Sequence, residues 1–530
     1  MYNLKISHTN TFLPVLQKLH KLQHLDISDD KDEPYELATV NMSAFSEFLK
    51  DPGCLLSLIS LDITGKNGVD ADTLKAFLKN HPQMRFLGLL ETEACQDDFF
   101  CEISDPVFKH KLVVSGFASE SQVLVSLRRY MQRKFYLQKS LCYLYTFIQN
   151  LPDVRLDIVQ LVLQSMKTYP KILSVQMAAT ACLYNLTKFG LSSMIHTSVL
   201  KQIVDYTLVA MENFPKQQQL QKNTLLTLCS DRMLVDVSFD RYHCAELVMN
   251  SLMAFDDPAM NRMSVAICSI LAARISTVET SNLGEKSAYM IRLLDIVKSK
   301  ADHGEIDIMM KFTLSALWNL TDESPRTCSV FLESGGMKLF LDVLRKFPGE
   351  SAVETKVLGL MNNIAEVNYL REQLMHEDFI SILKQLLHSE HIDVSYFAAG
   401  IIAHLASEGE NFWNCNCISW NDVILELGST IARWSVPETE MVAYRSFNPF
   451  YPLFSCSNAY QVQLWAAWAI YHVCLKNSKR YCKMIIEDGG AQILKNLLRD
   501  PELHPSVADI CKEILRIVKE EFPNMINTSL

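Results

Sequence analysis

Asn319-Leu320-Thr321-Asp322 and Asn363-Ile364-Ala365-Glu366 each place a carboxylate three residues after an asparagine, and the two asparagines lie 44 residues apart. That interval falls within the roughly 40–47-residue period of stacked helical repeats of the armadillo type. Equivalent turns of neighbouring helices should therefore carry the two acids. Packed helices run ~8–10 Å apart, and two carboxylates at that spacing on one groove suit a cation held on a peptide. Trp318 lies four residues before Asp322 and shares its helical face, so an aromatic wall would stand beside the acid. Aligned on Asn319, the repeats read Asn185, Asn319, Asn363, His404 and His472; three residues later they read Lys188, Asp322, Glu366, Ser407 and Leu475. The acid is confined to two adjacent units. Tyr396, Phe397 and His404, one unit further on, are expected to extend the same concave wall. Plainer roles compete: asparagines can bond neighbouring backbone, Trp318 and His404 can be core residues, and acids can be solvated surface.

Other chemistries find little support. The chain has no His-Glu-x-x-His, phosphate loop or Gly-x-Ser-x-Gly elbow. Asp322 and Glu366 as a hydrolytic pair would sit in a repeat groove with no enclosing pocket, so a non-enzyme is expected. Of 15 cysteines, Cys142, Cys182, Cys268 and Cys474 fall in apolar helical pattern. Only Cys415 and Cys417 are close, with no second pair at zinc spacing. No metal or cofactor is expected, and free thiols point to a reducing compartment, cytoplasm or nucleus. A net charge of −10 argues against nucleic acid, which needs a basic stripe. No apolar run approaches the ~18–20 residues of a membrane span, and no signal peptide is visible.

Two kinds of repeat must position the groove. Over residues 1–120 a leucine-rich pattern recurs at Leu25-Asp26-Ile27-Ser28, Leu61-Asp62-Ile63-Thr64, Phe86-Leu87-Gly88-Leu89 and Leu112-Val113-Val114, each expected to be a short parallel strand with a return. The steps between the first leucines are 36, 26 and 25 residues, the first enlarged by a polar insertion around Asp29–Glu36. Leu4-Lys5-Ile6-Ser7 matches the strand pattern too, so the chain is expected to open mid-repeat, without the polar cap that a solenoid needs. From about Ser121 the period becomes helical, and residues 121–520 are expected to form an armadillo-like superhelix, with 521–530 a polar tail. Small-plus-apolar helices recur at Ala178–Thr187, Asn223–Cys229, Ser264–Ala273, Thr313–Thr321, Val357–Ala365, Tyr396–Leu405 and Leu464–Cys474. Glycine is only 17 of 530 residues, about half the ~7% average, which favours this mostly α fold. The longer interval from His404 to His472 should hold an irregular unit or elaborated loop. Ser324-Pro325 reads as the cap and first residue of a helix, which leaves Asp322 in the closing turn of the previous one.

Leucine-rich repeats leading into armadillo-like repeats, with Ala316-Leu317-Trp318-Asn319-Leu320-Thr321-Asp322-Glu323-Ser324-Pro325, Leu360-Met361-Asn362-Asn363-Ile364-Ala365-Glu366-Val367, Val394-Ser395-Tyr396-Phe397-Ala398-Ala399-Gly400-Ile401-Ile402-Ala403-His404-Leu405 and Met441-Val442-Ala443-Tyr444-Arg445-Ser446-Phe447-Asn448-Pro449, resemble the protein zyg-11 homolog family, its A-type paralog more than its B-type. The resemblance implies a substrate receptor of a cullin-2 RING ubiquitin ligase that recognises N-terminal glycine degrons. Its peptide pocket maps onto Trp318, Asn319, Asp322, Asn363 and Glu366, with carboxylates on the α-ammonium and asparagine amides on the first peptide unit. Elongin B/C and cullin-2 are the implied partners. The family's segment for them precedes the leucine-rich repeats and has no counterpart here, so a truncated form is expected. Thr224-Leu225-Leu226-Thr227-Leu228-Cys229 fits the elongin-box pattern superficially but sits in a repeat helix, where its apolar side chains should be buried. An import-type adaptor for basic peptides, or a scaffold without a pocket, are the alternatives. The first expects Trp-x-x-x-Asn in successive repeats, whereas Trp318 is followed by Asp322 and Trp468 by His472.

Overall fold

A computed structural model describes residues 9–29 and 41–523, in two compact units, Met1–Asp240 and Arg241–Leu530. The strand-like match at Leu4–Ser7, most of the insertion after Asp29 and the end of the tail lie outside the described residues.

In the first unit, β1 (His24–Asp26), β2 (Ser60–Asp62), β3 (Phe86–Gly88) and β4 (Val113–Ser115) form one parallel sheet in sequence order. Leu25, Leu61 and Leu87 align across it and are buried, which fixes the register because a one-residue slip would turn them outward. The fourth strand departs from the expected alignment. Val114, not Leu112, pairs with Leu87, because Leu112 still belongs to the turn closed by its N–H to the Phe108 carbonyl. The Tyr130 hydroxyl donates to Asp62 at 3.0 Å and lies 2.6 Å from Thr64 Oγ1 and 3.0 Å from Ser115 Oγ, which satisfies the polar ends of the buried strands.

All seven small-plus-apolar segments are helices: Leu173–Thr187 and Gln218–Leu228 in the first unit, then Pro258–Ala272, Ile308–Thr321, Ser351–Ala365, Ile392–Ala406 and Tyr460–Lys476 in the second. Within each unit successive members pack on one another. Leu225 and Leu228 of the elongin-box-like stretch are buried, whereas Leu226 is half-buried and Cys229, just past the helix end, is exposed, so the expected burial is only partial. Of the cysteines expected inside the helices, Cys182, Cys268 and Cys474 are buried but Cys142 is exposed.

Close stacking depends on two glycines. A Cβ on Gly359 would stand 2.5 Å from Trp318 Cε2, and one on Gly400 would stand 2.4 Å from Asn362 Oδ1. Gly359→Ala should therefore displace the Trp318 ring and cost ~1–3 kcal/mol, the usual penalty of overpacking. Chemical denaturation and the tryptophan emission maximum would check this; an unchanged spectrum and midpoint would show that the ring is not wedged.

The long interval between the last two repeat helices holds a helix, Trp420–Ile431, an irregular stretch, and a single 3₁₀ turn, Tyr451–Ser455. The irregular stretch shapes the candidate site.

Candidate functional site

Asp322 caps the C-terminus of Ile308–Thr321, and Ser324 and Pro325 open the next helix, Pro325–Glu333. Between them Glu323 takes a left-handed backbone, φ 49°, so the chain turns within two residues. Glu366 caps Ser351–Ala365 in the equivalent position. Trp318, Asn319, Asp322, Asn363 and Glu366, the five residues expected to form the pocket, all line one cavity of about 490 Å³. The Trp318 ring meets Phe397 edge-on, centroids 5.2 Å apart, and Phe397 also lines the cavity.

Tyr396 and His404 do not line it. Both are fully buried, because Ile392–Ala406 packs against Ser351–Ala365 on one side and Tyr460–Lys476 on the other. Tyr396 shares a hydroxyl contact with Tyr444, and His404 Nδ1 lies 3.4 Å from the Arg371 guanidinium. Burial and that guanidinium hold His404 well below its ordinary value, so it is neutral.

The groove is roofed, unlike the open groove expected from the repeats. Met441 to Ser446, with Pro449 and Phe450, cross it and complete the cavity wall. Arg445 fastens this strap. Its guanidinium donates to Asp322 at 2.7 Å, to the Ile275 carbonyl at 2.7 Å and to the Ala272 carbonyl at 2.5 Å. Ser446 donates to Glu323 at 2.6 Å. Asp322 thus already holds a cation from within the chain. Even so, burial, with Glu323 nearby, pushes its carboxyl up to about 6 against the pull of Arg445.

Glu366 differs. It accepts one bond, from Asn362 Nδ2 at 2.8 Å, and among the described residues it forms no ion pair. Burial, then the neighbouring Asp322 and Glu323, push it well above the usual carboxylate range, with Arg371 opposing. A carboxyl of this kind, desolvated and facing other carboxylates, ionises readily only when a cation arrives.

The asparagines are oriented by the repeat stack. Asn319 Nδ2 donates to the Ser269 carbonyl at 3.0 Å, and Asn363 Nδ2 donates to the Trp318 carbonyl at 3.1 Å and to Thr321 Oγ1 at 3.0 Å. Each therefore ties its helix to the preceding repeat through its amide nitrogen, leaving the carbonyl oxygen as its other polar atom. Asn185, in the corresponding position of the first unit, has a buried amide nitrogen with no hydrogen-bond partner.

Arg445, Glu323 and Asn362 belong to the site but stood outside the residues expected there. Asn362 carried a signal in its four-residue spacing from Glu366, which puts the two side chains on one helical face. Arg445 carried none, since it meets Asp322 from 123 residues further along the chain.

The family model described as protein zer-1 homolog-like, C-terminal domain, matches residues 163–520. The chain belongs to this family. The matched span of the zer-1-like domain includes every residue of the cavity. The zer-1 homolog of Homo sapiens is 28% identical over 97% of this chain and 68% of its own length. Zyg eleven-related protein 1 of Caenorhabditis elegans is 28% identical over 96% of this chain and 54% of its own. Among solved structures, a designed armadillo repeat protein is 17% identical, with a TM-score of 0.30 over 51% of this chain and 98% of the designed one. The helical-repeat architecture accordingly rests on the stacking seen directly in each unit. The family and that architecture are consistent with a non-catalytic receptor. No helix among the described residues is long and apolar enough to cross a membrane.

Proposed function

We propose that this chain is a substrate-recognition subunit of a cullin-2 RING ubiquitin ligase, of the zyg-11 homolog A type, that takes the N-terminal glycine of a degron into the cavity between Trp318 and Glu366. The observation that carries the reading is Glu366: a half-buried carboxyl that forms no ion pair among the described residues, in a cavity of about 490 Å³. An incoming α-ammonium brings three N–H donors. Glu366 takes the first, and the carbonyl oxygens of Asn319 and Asn363 suit the others, because both Asn363 N–H groups and one of Asn319's are committed to the repeat stack. The asparagine oxygens would thus serve the ammonium, and the second Asn319 N–H could donate to the first peptide carbonyl. Asp322, shared with Arg445, adds charge from a second position. Trp318 and Phe397 form an aromatic wall, and a preference for glycine would follow from that wall standing against the first residue's α-carbon. Elongin B/C and cullin-2 are the partners that the family resemblance implies, and the setting is the cytoplasm or nucleus.

Three peptides test this: one starting with free glycine, its N-acetylated form, and the same sequence extended by one alanine. Acetylation removes the charge that a desolvated carboxylate would meet, a loss of ~2–5 kcal/mol for such pairs, so titration calorimetry should detect only the first. Equal binding by all three would sink the ammonium pocket.

A further inference from the structure

Cys415 and Cys417 did not read as a metal site in the sequence because no second pair stood at zinc spacing. The fold supplies a third ligand. The loop between the Ile392–Ala406 and Trp420–Ile431 helices lies against the N-terminus of the Glu377–Leu387 helix, and the ligand atoms of Glu377, Cys415 and Cys417 all fall within 4.8 Å of one another. The two sulfurs are 2.9 Å apart, and Cys415 Sγ is 3.2 Å from Glu377 Oε2. The loop is anchored. Trp413 Nε1 donates to the Ile418 carbonyl and Trp420 Nε1 to the Ala406 carbonyl, each at 3.0 Å. The same loop aims the carboxylate, the Asn416 N–H donating to Oε1 at 2.6 Å and the Cys417 N–H to Oε2 at 3.1 Å.

We propose that Glu377, Cys415 and Cys417 form a three-donor site for a thiophilic divalent cation of the zinc class. Zinc binds thiolate at ~2.3 Å and carboxylate at ~2.0–2.2 Å in tetrahedral geometry. Those lengths set sulfurs ~3.8 Å apart and sulfur to oxygen ~3.5 Å. The sulfur–oxygen edge is already close to this, and the sulfur pair reaches it by small rotations about χ1. Two sulfurs and one oxygen select a borderline-soft ion over magnesium or calcium, which take oxygen ligands alone. The triad is exposed or half-buried, so a water or an outside ligand would complete the tetrahedron. Binding would displace the two thiol protons and pin the loop to the helix end.

The test uses the full chain, kept under a phosphine reductant and stripped with a chelator. Zinc(II) is titrated against a chromophoric competitor, and cobalt(II) is used to look for thiolate-to-metal charge transfer in the near ultraviolet. One equivalent of metal should bind to the wild type and to Cys142→Ser/Cys229→Ser, which removes exposed thiols elsewhere, but not to Cys415→Ser/Cys417→Ser. Glu377→Gln should weaken binding at least tenfold while its metal-free circular dichroism spectrum stays that of the wild type, although its melting temperature should fall slightly because the amide oxygen is a weaker acceptor for the Asn416 and Cys417 N–H groups. Equal uptake by the Cys415→Ser/Cys417→Ser variant, or undiminished affinity in Glu377→Gln, would overturn the assignment. So would a Cys415–Cys417 disulfide that persists under reductant without metal uptake.

Discussion

Glu366→Gln should raise the stability of the protein above pH 7 and at the same time abolish its hold on a peptide ammonium. The two effects share one cause. Folding moves the Glu366 carboxyl from its ordinary 4.5 to well above that, chiefly by burial and then through Asp322 and Glu323. The folded state therefore binds more protons than the unfolded state once the pH exceeds about 4.5, and stability falls as the pH rises toward and through the folded value. Each unit of such a shift is ~1.4 kcal/mol. Asp322, raised from 3.8 to about 6, has the same sign, with its stability lost between those values. His404, held below 6.5, has the opposite sign and contributes nothing further above its unfolded value. The difference between the wild type and Glu366→Gln, followed from pH 4.5 to 9, therefore reports Glu366, since Asp322, His404 and the buried thiols, whose raised values also cost stability at alkaline pH, are common to both proteins. The wild type should lose stability across that range and Glu366→Gln much less, since glutamine keeps the acceptor for Asn362 and carries no charge. Peptide affinity should fall by ~2–5 kcal/mol, or roughly 30- to several-thousand-fold. Parallel stability curves for the two proteins would show that Glu366 is not desolvated as described. Retained tight binding by the variant would remove it from the pocket.

The parts of this site that could be read along the chain are those set by local period. The 44-residue spacing of Asn319 and Asn363 placed Asp322 and Glu366 at equivalent helix ends, and the recurring small-plus-apolar segments marked all seven repeat helices. Tyr396 and His404 were misplaced because helical period gives a face but not what covers it. In Ile392–Ala406 every face from Val394 onward is buried, so position on the helix does not distinguish cavity wall from core. The roof was illegible for a different reason. The motif around Arg445 stands out for its aromatic residues, yet nothing local says that it returns to Asp322. The same holds for Glu377 and its two cysteines, joined across 38 and 40 residues.

The cost of losing Arg445 should exceed the cost of losing its partner Asp322, and the double variant should recover part of the difference. Both side chains of the pair are largely buried, 16% and 28% exposed. Arg445→Ala leaves the Ala272 and Ile275 carbonyls without their donor and leaves Asp322 facing Glu366 and Glu323 with no cation, a loss of ~2–4 kcal/mol. Asp322→Asn keeps an acceptor for the guanidinium, which retains both carbonyl bonds, and it removes one of three crowded carboxylates. Its cost should be ~1 kcal/mol or less, and Glu366 should ionise more easily as a result. In the double variant the unpaired carboxylate is gone but the two carbonyls remain unserved. A double-mutant cycle by urea denaturation should therefore give a coupling of ~1–3 kcal/mol. Hydrogen exchange supplies an independent measure. In Arg445→Ala, amides around residues 445–446 should lose protection, since the guanidinium supplies three of the strap's bonds to the repeat ends, while Arg480 on the Tyr444 carbonyl and Asp488 on the Phe447 N–H still hold its flanks; Ser446→Ala, which removes one hydroxyl bond to Glu323, should affect them only slightly. Additive single costs with an undisturbed strap would mean that the aromatic packing of Phe447 and Phe450, with the Arg480 and Asp488 bonds, holds the roof without Arg445. In that case Asp322 would be free to meet an incoming ammonium on equal terms with Glu366.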